Sequence, residues 1–140
     1  MYLLDTDHLS LLERDNADSR TLQTRLALVP AEEVATTIVT YEEQMRGWLA
    51  RAAQANSTEK IVAAYTHLET HIRTFQHIPI VSFNARAGAV FERLRRAGAR
   101  IGTMDLKIAA IAMTNDATLL SRNLTDFGKL AGLLVEDWST

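Results

Sequence analysis

The sequence predicts an α/β fold: a three-layer α/β/α sandwich on a central parallel sheet of four to five strands. Three observations predict it. Short apolar runs bounded by turn-forming residues alternate with longer segments of helical period, the pattern of strands joined by crossover helices. The first run, Tyr2-Leu3-Leu4, is apolar on both faces, as a strand covered on two sides has to be. It stops on Asp5, and a carboxylate at the carboxyl end of a central parallel strand faces the crevice where open α/β sheets bind ligands. Burying that charge is costly unless a cation or hydrogen-bond donors surround it, so Asp5 requires a partner.

Taken in order, Thr6 to Arg14, with Leu9, Leu11 and Leu12, reads as a short helix that Asp5 or Asp7 is placed to cap; the polar stretch Asp15 to Ser19 closes it. A second short amphipathic helix carries Leu22, Leu26 and Val29 and ends at Pro30. Val34 to Thr37 is the second strand. Thr36 or Thr37 then caps a helix through Ala55, on which Tyr41, Met45, Trp48, Leu49 and Ala52 form an apolar stripe expected to belong to the core. Asn56-Ser57-Thr58 breaks the pattern, and a long helix follows to about His77, carrying Ile61, Val62, Tyr65, Leu68, Ile72 and Phe75. Ile78 to Val81 is the third strand, with its proline near the start, where a missing donor does least harm. Asn84 to Ala97 is a helix carrying Ala87, Val90, Phe91 and Leu94, and Gly98 stands where a helix stop belongs. Met104 to Thr114 is alanine-rich and apolar almost all round, so burial is expected; Ala117 to Ser121 and Leu133 to Val135 are the last strands.

At 140 residues the chain reads as one domain, residues 1–140, long enough to bury a core without staples. The absence of cysteine excludes disulfides, thiolate metal sites and a cysteine nucleophile. No apolar run approaches membrane-spanning length, and the amino terminus lacks the basic and long apolar regions of a signal peptide, so a soluble, cytoplasmic protein is expected. Net charge is −2 but unevenly placed: residues 1–43 hold nine acids and three bases, net −6, and residues 44–140 hold eight acids and twelve bases, net +4. An acidic pocket beside a basic surface suits a metal-dependent enzyme acting on a polyanion.

The strand carboxyl ends of such a sandwich lie along one edge, and this sorts the acids. Asp5 lies on that edge, as do Ser121, Arg122 and Asn123 and then Asp126. Asp105 falls in the first turn of the alanine-rich helix, where its side chain can project towards the same edge, whereas Asp116 precedes the fourth strand at the opposite one. After the second strand, Glu42 borders the apolar stripe and Glu43 shares the other face with Gly47 and Ala50; periodicity does not choose between them. Carboxylates meeting from distant segments repel, so a proton or a divalent cation has to sit between them. All-oxygen ligands without convergent His or Cys select a hard ion, Mg²⁺ or Mn²⁺, that keeps several of its waters. Such an ion lowers the pKa of a bound water and offsets charge on a phosphodiester under in-line attack, which makes phosphate-ester hydrolysis the natural reaction.

Four stretches, Leu3 to Asp7, Thr37 to Gly47, Gly102 to Ala110 and Leu120 to Phe127, together resemble in order and spacing the PIN-domain ribonucleases of the VapC toxin type. The ending Val135 to Trp138 resembles that family's last strand. The resemblance implies that Asp5, Glu43 and Asp105 are the catalytic, metal-binding acids. It selects Glu43 because the family's acid precedes a glycine by four positions, as Glu43 precedes Gly47. Thr6 and Ser121 match supporting hydroxyl positions. Asn123 stands where many members have a fourth acid, which leaves Asn123 and Asp126 as candidates for a second, weaker ion site. The implied activity is Mg²⁺-dependent endoribonuclease cleavage, with Mn²⁺ as substitute, of structured RNA such as a tRNA loop, arresting translation. The implied partners are a cognate VapB-like antitoxin that covers the site and a second copy in a homodimer. Among the basic residues, Arg122, Lys107 and Arg46 are the leading candidates for RNA contact.

Other readings compete. Asp5-Thr6-Asp7 also fits the opening of haloacid-dehalogenase-like phosphatases, with Asp5 as nucleophile and Asp7 as acid/base, although no convincing later Lys and acidic pair follows. His67 and His71 stand four apart as a zinc pair would, but the Glu of a protease motif is misplaced, so surface histidines are expected. A non-catalytic PIN-like binding module is the reading from a different class, favoured by Asn123 and opposed by the three acids.

Overall fold

The computed structural model describes residues 1–140. Five strands, β1 (Tyr2–Leu4), β2 (Val34–Thr37), β3 (Ile80–Val81), β4 (Thr118–Leu120) and β5 (Leu134–Glu136), form one sheet in the order β3-β2-β1-β4-β5. Every neighbouring pair is parallel, with Leu3 opposite Ala35 on one side and Leu119 on the other. The crossovers are helical: α1 (Thr6–Leu11) and α2 (Ala17–Leu26), α3 (Ile38–Gln54) and α4 (Thr58–His77), α5 (Ala85–Arg96) and α6 (Thr103–Thr114), and the single turn α7 (Leu124–Phe127). This is the predicted α/β/α sandwich, with all the expected strands present.

Alternation along the strands builds the three layers. Leu3 and Leu119 pack with α5, α6 and α7 through Ala87, Ile108, Ile111 and Phe127, while Leu4 and Leu120 pack on the other face with Leu9, Leu11, Leu22 and Trp138. Helix α6 is the central element of the first layer. Residues Ile108 to Ala112 are fully buried, and the three alanines among them allow close approach of neighbouring elements. No helix is long and apolar enough to cross a membrane.

Polar side chains start the helices, at Thr37 as the sequence suggested and also at Ser57 and Asn84. Thr37 Oγ1 accepts from Thr40 N at 3.0 Å, Ser57 Oγ from Lys60 N at 3.2 Å and Asn84 Oδ1 from Ala87 N at 3.0 Å. Gly98, at φ +80°, is the stop after α5, and Asp116, at φ +50°, makes the left-handed turn into β4, a conformation Asp tolerates better than most residues.

Several expectations need correction. Helix α1 ends at Leu11 rather than Arg14, and α2 at Leu26, with Ala27 to Val29 in a turn before Pro30. β3 contains only Ile80 and Val81. The α3 stripe is not core: Tyr41, Met45 and Trp48 are half-buried and Leu49 is 55% exposed. Tyr41, Met45 and Leu49 instead line an open apolar groove of about 610 Å³ with Ile38, Val39 and Phe83. Ile61, Val62, Tyr65 and Ile72 of α4 are likewise exposed, because the side of α4 that packs on α3 is formed by Ala64, His71 and Phe75. Two neighbouring helices thus leave apolar side chains in solvent.

Candidate active site

The strand order changes direction at β1, so the crevice of the sheet opens between the carboxyl ends of β1 and β4. Asp5 stands at that point, 5% exposed. Its N–H continues the ladder to Leu120 O at 3.0 Å, and its Oδ2 accepts from Ser121 Oγ at 2.7 Å. One serine therefore serves as the donor for a buried carboxylate at the end of the neighbouring strand. Burial, reinforced by the charge of Asp7, pushes the Asp5 carboxyl up to about 7, against the opposing bond from Ser121.

Asp105 approaches Asp5 from one helix, and Glu43 approaches Asp105 from another. Asp105 is in the first turn of α6, and burial followed by the charges of Asp126 and Asp7 raises its pKa above the ordinary carboxylate range. Glu43, on α3, is raised by burial and then by Asp105. Asp105 in turn adds to the shift of Asp5, so the three acids share one electrostatic neighbourhood. Glu42 points elsewhere: it is exposed and pairs with Arg46. Thr6 approaches Glu43, yet Thr6 Oγ1 and Glu43 Oε1 are both buried without a hydrogen bond of good geometry.

Asn123 reaches between two acids, its Nδ2 donating to Asp126 Oδ2 at 3.2 Å and to Asp105 Oδ2 at 3.4 Å. Asp126 is half-buried, and Lys129, then Asn123, hold its carboxyl below the usual range. The candidate RNA contacts lie outside the crevice. The Arg122 guanidinium is paired with Asp18 and Ser139, while Arg46 and Lys107 border the apolar groove.

Sequence reasoning missed the role of Asp7 and His8. Neither aspartate caps α1 with its side chain: Asp5 occupies the N-cap position without a capping hydrogen bond, and Asp7 lies inside the first turn. Asp7 Oδ2 instead accepts from Arg122 N at 3.0 Å, and its Oδ1 lies 2.7 Å from His8 Nδ1. His8 is fully buried and its Nε2 accepts from Trp138 N at 3.0 Å, which requires the proton on Nδ1 and makes His8 the donor to Asp7. The chain Trp138–His8–Asp7–Arg122 ties the residues after β5 to the loop after β4. Only the adjacency of Asp7 and His8 hinted at this in the sequence. With both oxygens engaged, Asp7 is poorly placed for the phosphatase acid/base role. His67 is exposed, as expected, but His71 is buried and bonded to Glu13 at 3.3 Å.

The donor set fits a hard, hydrated cation. It is all oxygen, its acids are destabilised by burial and by one another, and Glu43 Oε1 is an orphaned buried acceptor. No three Asp, Glu or His side chains are arranged to ligate one ion directly, so the fit is to an ion held through few carboxylates and several waters, as Mg²⁺ usually is.

Fold and site together define a parallel α/β domain with an acidic crevice at its switch point. The chain belongs to the PIN domain family, whose model matches residues 2–133. It is 24% identical over 140 residues to "Ribonuclease VapC1" of Haemophilus influenzae (strain R2866), covering 99% of this chain and 98% of that protein. Among solved structures it resembles FitAB bound to an IR36 DNA fragment, with TM-score 0.74 and 23% identity over 100% of this chain and 96% of that one. It also resembles a toxin-antitoxin complex from Klebsiella pneumoniae, with TM-score 0.71 and 20% identity, covering 99% and 98% of the two chains.

Proposed function

We propose that the protein is a Mg²⁺-dependent endoribonuclease of the VapC toxin type, acting in the cytoplasm. It hydrolyses phosphodiester bonds in structured RNA such as tRNA, inhibits translation and is neutralised by a cognate antitoxin. The observation that carries this reading is the buried Asp5 at the β1/β4 crevice, coupled to Asp105, which is coupled in turn to Glu43, in a PIN-domain chain with a relative named as a ribonuclease.

Asp5, Asp105 and Glu43 would hold Mg²⁺, or Mn²⁺ in its place, directly or through water. When bound, the ion supplies an activated water and charge compensation at the phosphate. The protein's own groups prepare for this. Asp5, its pKa moved to about 7, is only partly ionised near neutral pH in the cation-free site, and a bound positive charge draws it to the carboxylate form. Ser121 fixes Oδ2 of Asp5 and so orients the carboxylate. Asn123 gives Asp105 a neutral donor where a fourth acid would repel it, so a second ion at Asn123 and Asp126 binds weakly or needs substrate phosphate.

A pocket of destabilised carboxylates also attracts a guanidinium, so an antitoxin arginine can stand in for the cation. The exposed apolar residues Leu49, Ile61, Tyr65 and Ile72 support assembly into a homodimer. The test is to map RNA ends after brief induction of wild type and of Asp105→Ala. A discrete cut found only with wild type is expected. The absence of any cut with Mg²⁺ or Mn²⁺, with toxicity unchanged in Asp5→Ala, would make the protein a binding module instead.

A further inference from the structure

Helix α3 separates two cavities of opposite chemistry. Ile38, Tyr41, Met45 and Leu49 border the apolar groove, whereas Glu43, Gln44, Gly47 and Arg51 border a cleft of about 520 Å³ that is polar except at Trp48. This cleft begins at the acidic site, where Thr6 and Glu43 form one end, and extends between α1 and α4 past Arg14 and His67. Neither Arg14 nor Arg51 is in an ion pair, in contrast to Arg46 with Glu42 and Arg122 with Asp18. The remaining acid on this wall, Glu13, is turned to His71 and Thr74.

Arg51 is also held in place. Its guanidinium carbon lies 4.6 Å from the Trp48 ring centroid, and His67 is stacked on the same ring at 4.6 Å with an interplanar angle of 16°. A planar cation resting on an aromatic ring has its other face free to receive a base and its N–H groups free for a phosphate. Beside Glu43, a Cβ built on Gly47 would meet nothing within 4 Å, so the floor of the cleft is open.

We infer that this cleft is the binding path for single-stranded RNA flanking the cleaved bond. Arg14 and Arg51 neutralise phosphates next to the scissile one, and the Trp48–Arg51 stack receives an unpaired base. The inference rests on the nuclease reading. RNA is favoured over a protein segment because the lining is polar and carries two arginines outside any ion pair, while the chemistry suited to an apolar helix lies across α3 in the other groove.

The experiment measures binding of a fluorescein-labelled, random-sequence single-stranded RNA pool by anisotropy across a salt series. It compares Asp105→Ala protein with the same protein carrying Arg14→Ala, Arg51→Ala, both, or Gly47→Leu, with Arg20→Glu as a charge control on α2. Each arginine variant is expected to weaken binding about threefold to tenfold and to flatten the log–log salt slope by about 0.7, the value for one lost contact to a single strand. Gly47→Leu, which fills the cleft while improving helix propensity, weakens binding without changing the slope per remaining contact. In the active protein KM rises while kcat stays within about threefold. Unchanged RNA affinity and slope in the double variant would overturn the inference, as would loss of antitoxin affinity alone, which would make the cleft a protein contact. Wild-type protein that neither binds nor cuts RNA would refute the nuclease reading as well, so the two failures are distinguishable.

Discussion

Burial and the neighbouring charge of Asp7 hold Asp5 near 7 rather than at its ordinary 3.8, and this sets the direction of a pH effect. Between those values the folded protein binds more protons than the unfolded chain, so this group makes the cation-free protein less stable as pH rises through the interval. The Asp5 contribution is largest below about pH 4 and is lost by about pH 7, falling by up to about 1.4 kcal/mol for each pH step of one within that interval. Urea denaturation in EDTA is expected to give Asp5→Asn a stability advantage over wild type that grows from about pH 4 to about pH 7, while RNA cleavage disappears. Parallel profiles for the two proteins would contradict this. His8 presents a different kind of dependence, since it is the acceptor for Trp138 N and a donor to Asp7. His8→Phe keeps a planar ring, slightly overfills the site and orphans both groups, and is expected to cost about 2–4 kcal/mol by urea denaturation. A loss under about 0.5 kcal/mol would show that the network is dispensable.

At the level of elements, helix starts are the most legible feature, because a cap is local chemistry: Thr37, Ser57 and Asn84 each bond the N–H three residues on. Thr37→Ala should therefore destabilise by about 1 kcal/mol, measured by thermal or urea unfolding. The burial of α6 is also legible, since a segment apolar on all sides has no face to offer water. Ala109→Leu there is expected to cost about 1–3 kcal/mol by overpacking. The α3 stripe misleads, because periodicity identifies an apolar face without saying whether anything covers it. Leu49 and Met45 have the right spacing and an open groove in front of them. The position of Asp7 escapes sequence reasoning for a related reason: its partners, the Arg122 N–H and the His8 ring, are supplied by a distant loop and by a buried contact that no local rule foresees.

For the whole molecule, topology is what brings the site together. With β1 central and β4 beside it, Asp5 and Ser121 meet although 116 positions apart, and α3 and α6 bring Glu43 and Asp105 into their electrostatic neighbourhood. The edge on which Asp5 and Asp105 lie is legible because alternating strands and helices put the strand carboxyl ends together, whereas Glu43 is singled out from Glu42 only by the family resemblance. The polar cleft is not, since Arg14, Arg51 and His67 come from separate parts of the chain whose mutual packing carries no signature in the sequence. If the acids bind one divalent ion, the energy of that binding adds to folding: about 2.7 kcal/mol at a free concentration one hundred times Kd. Mg²⁺ is therefore expected to raise the unfolding midpoint of wild type and to do so far less for Asp105→Ala. The most direct measurement is an anomalous difference map from crystals soaked in Mn²⁺. A peak in the crevice among Asp5, Glu43 and Asp105 is predicted in wild type and not in Asp105→Ala; a wild-type crevice without a peak, together with RNA cleavage undiminished in EDTA, would contradict a metal-dependent site.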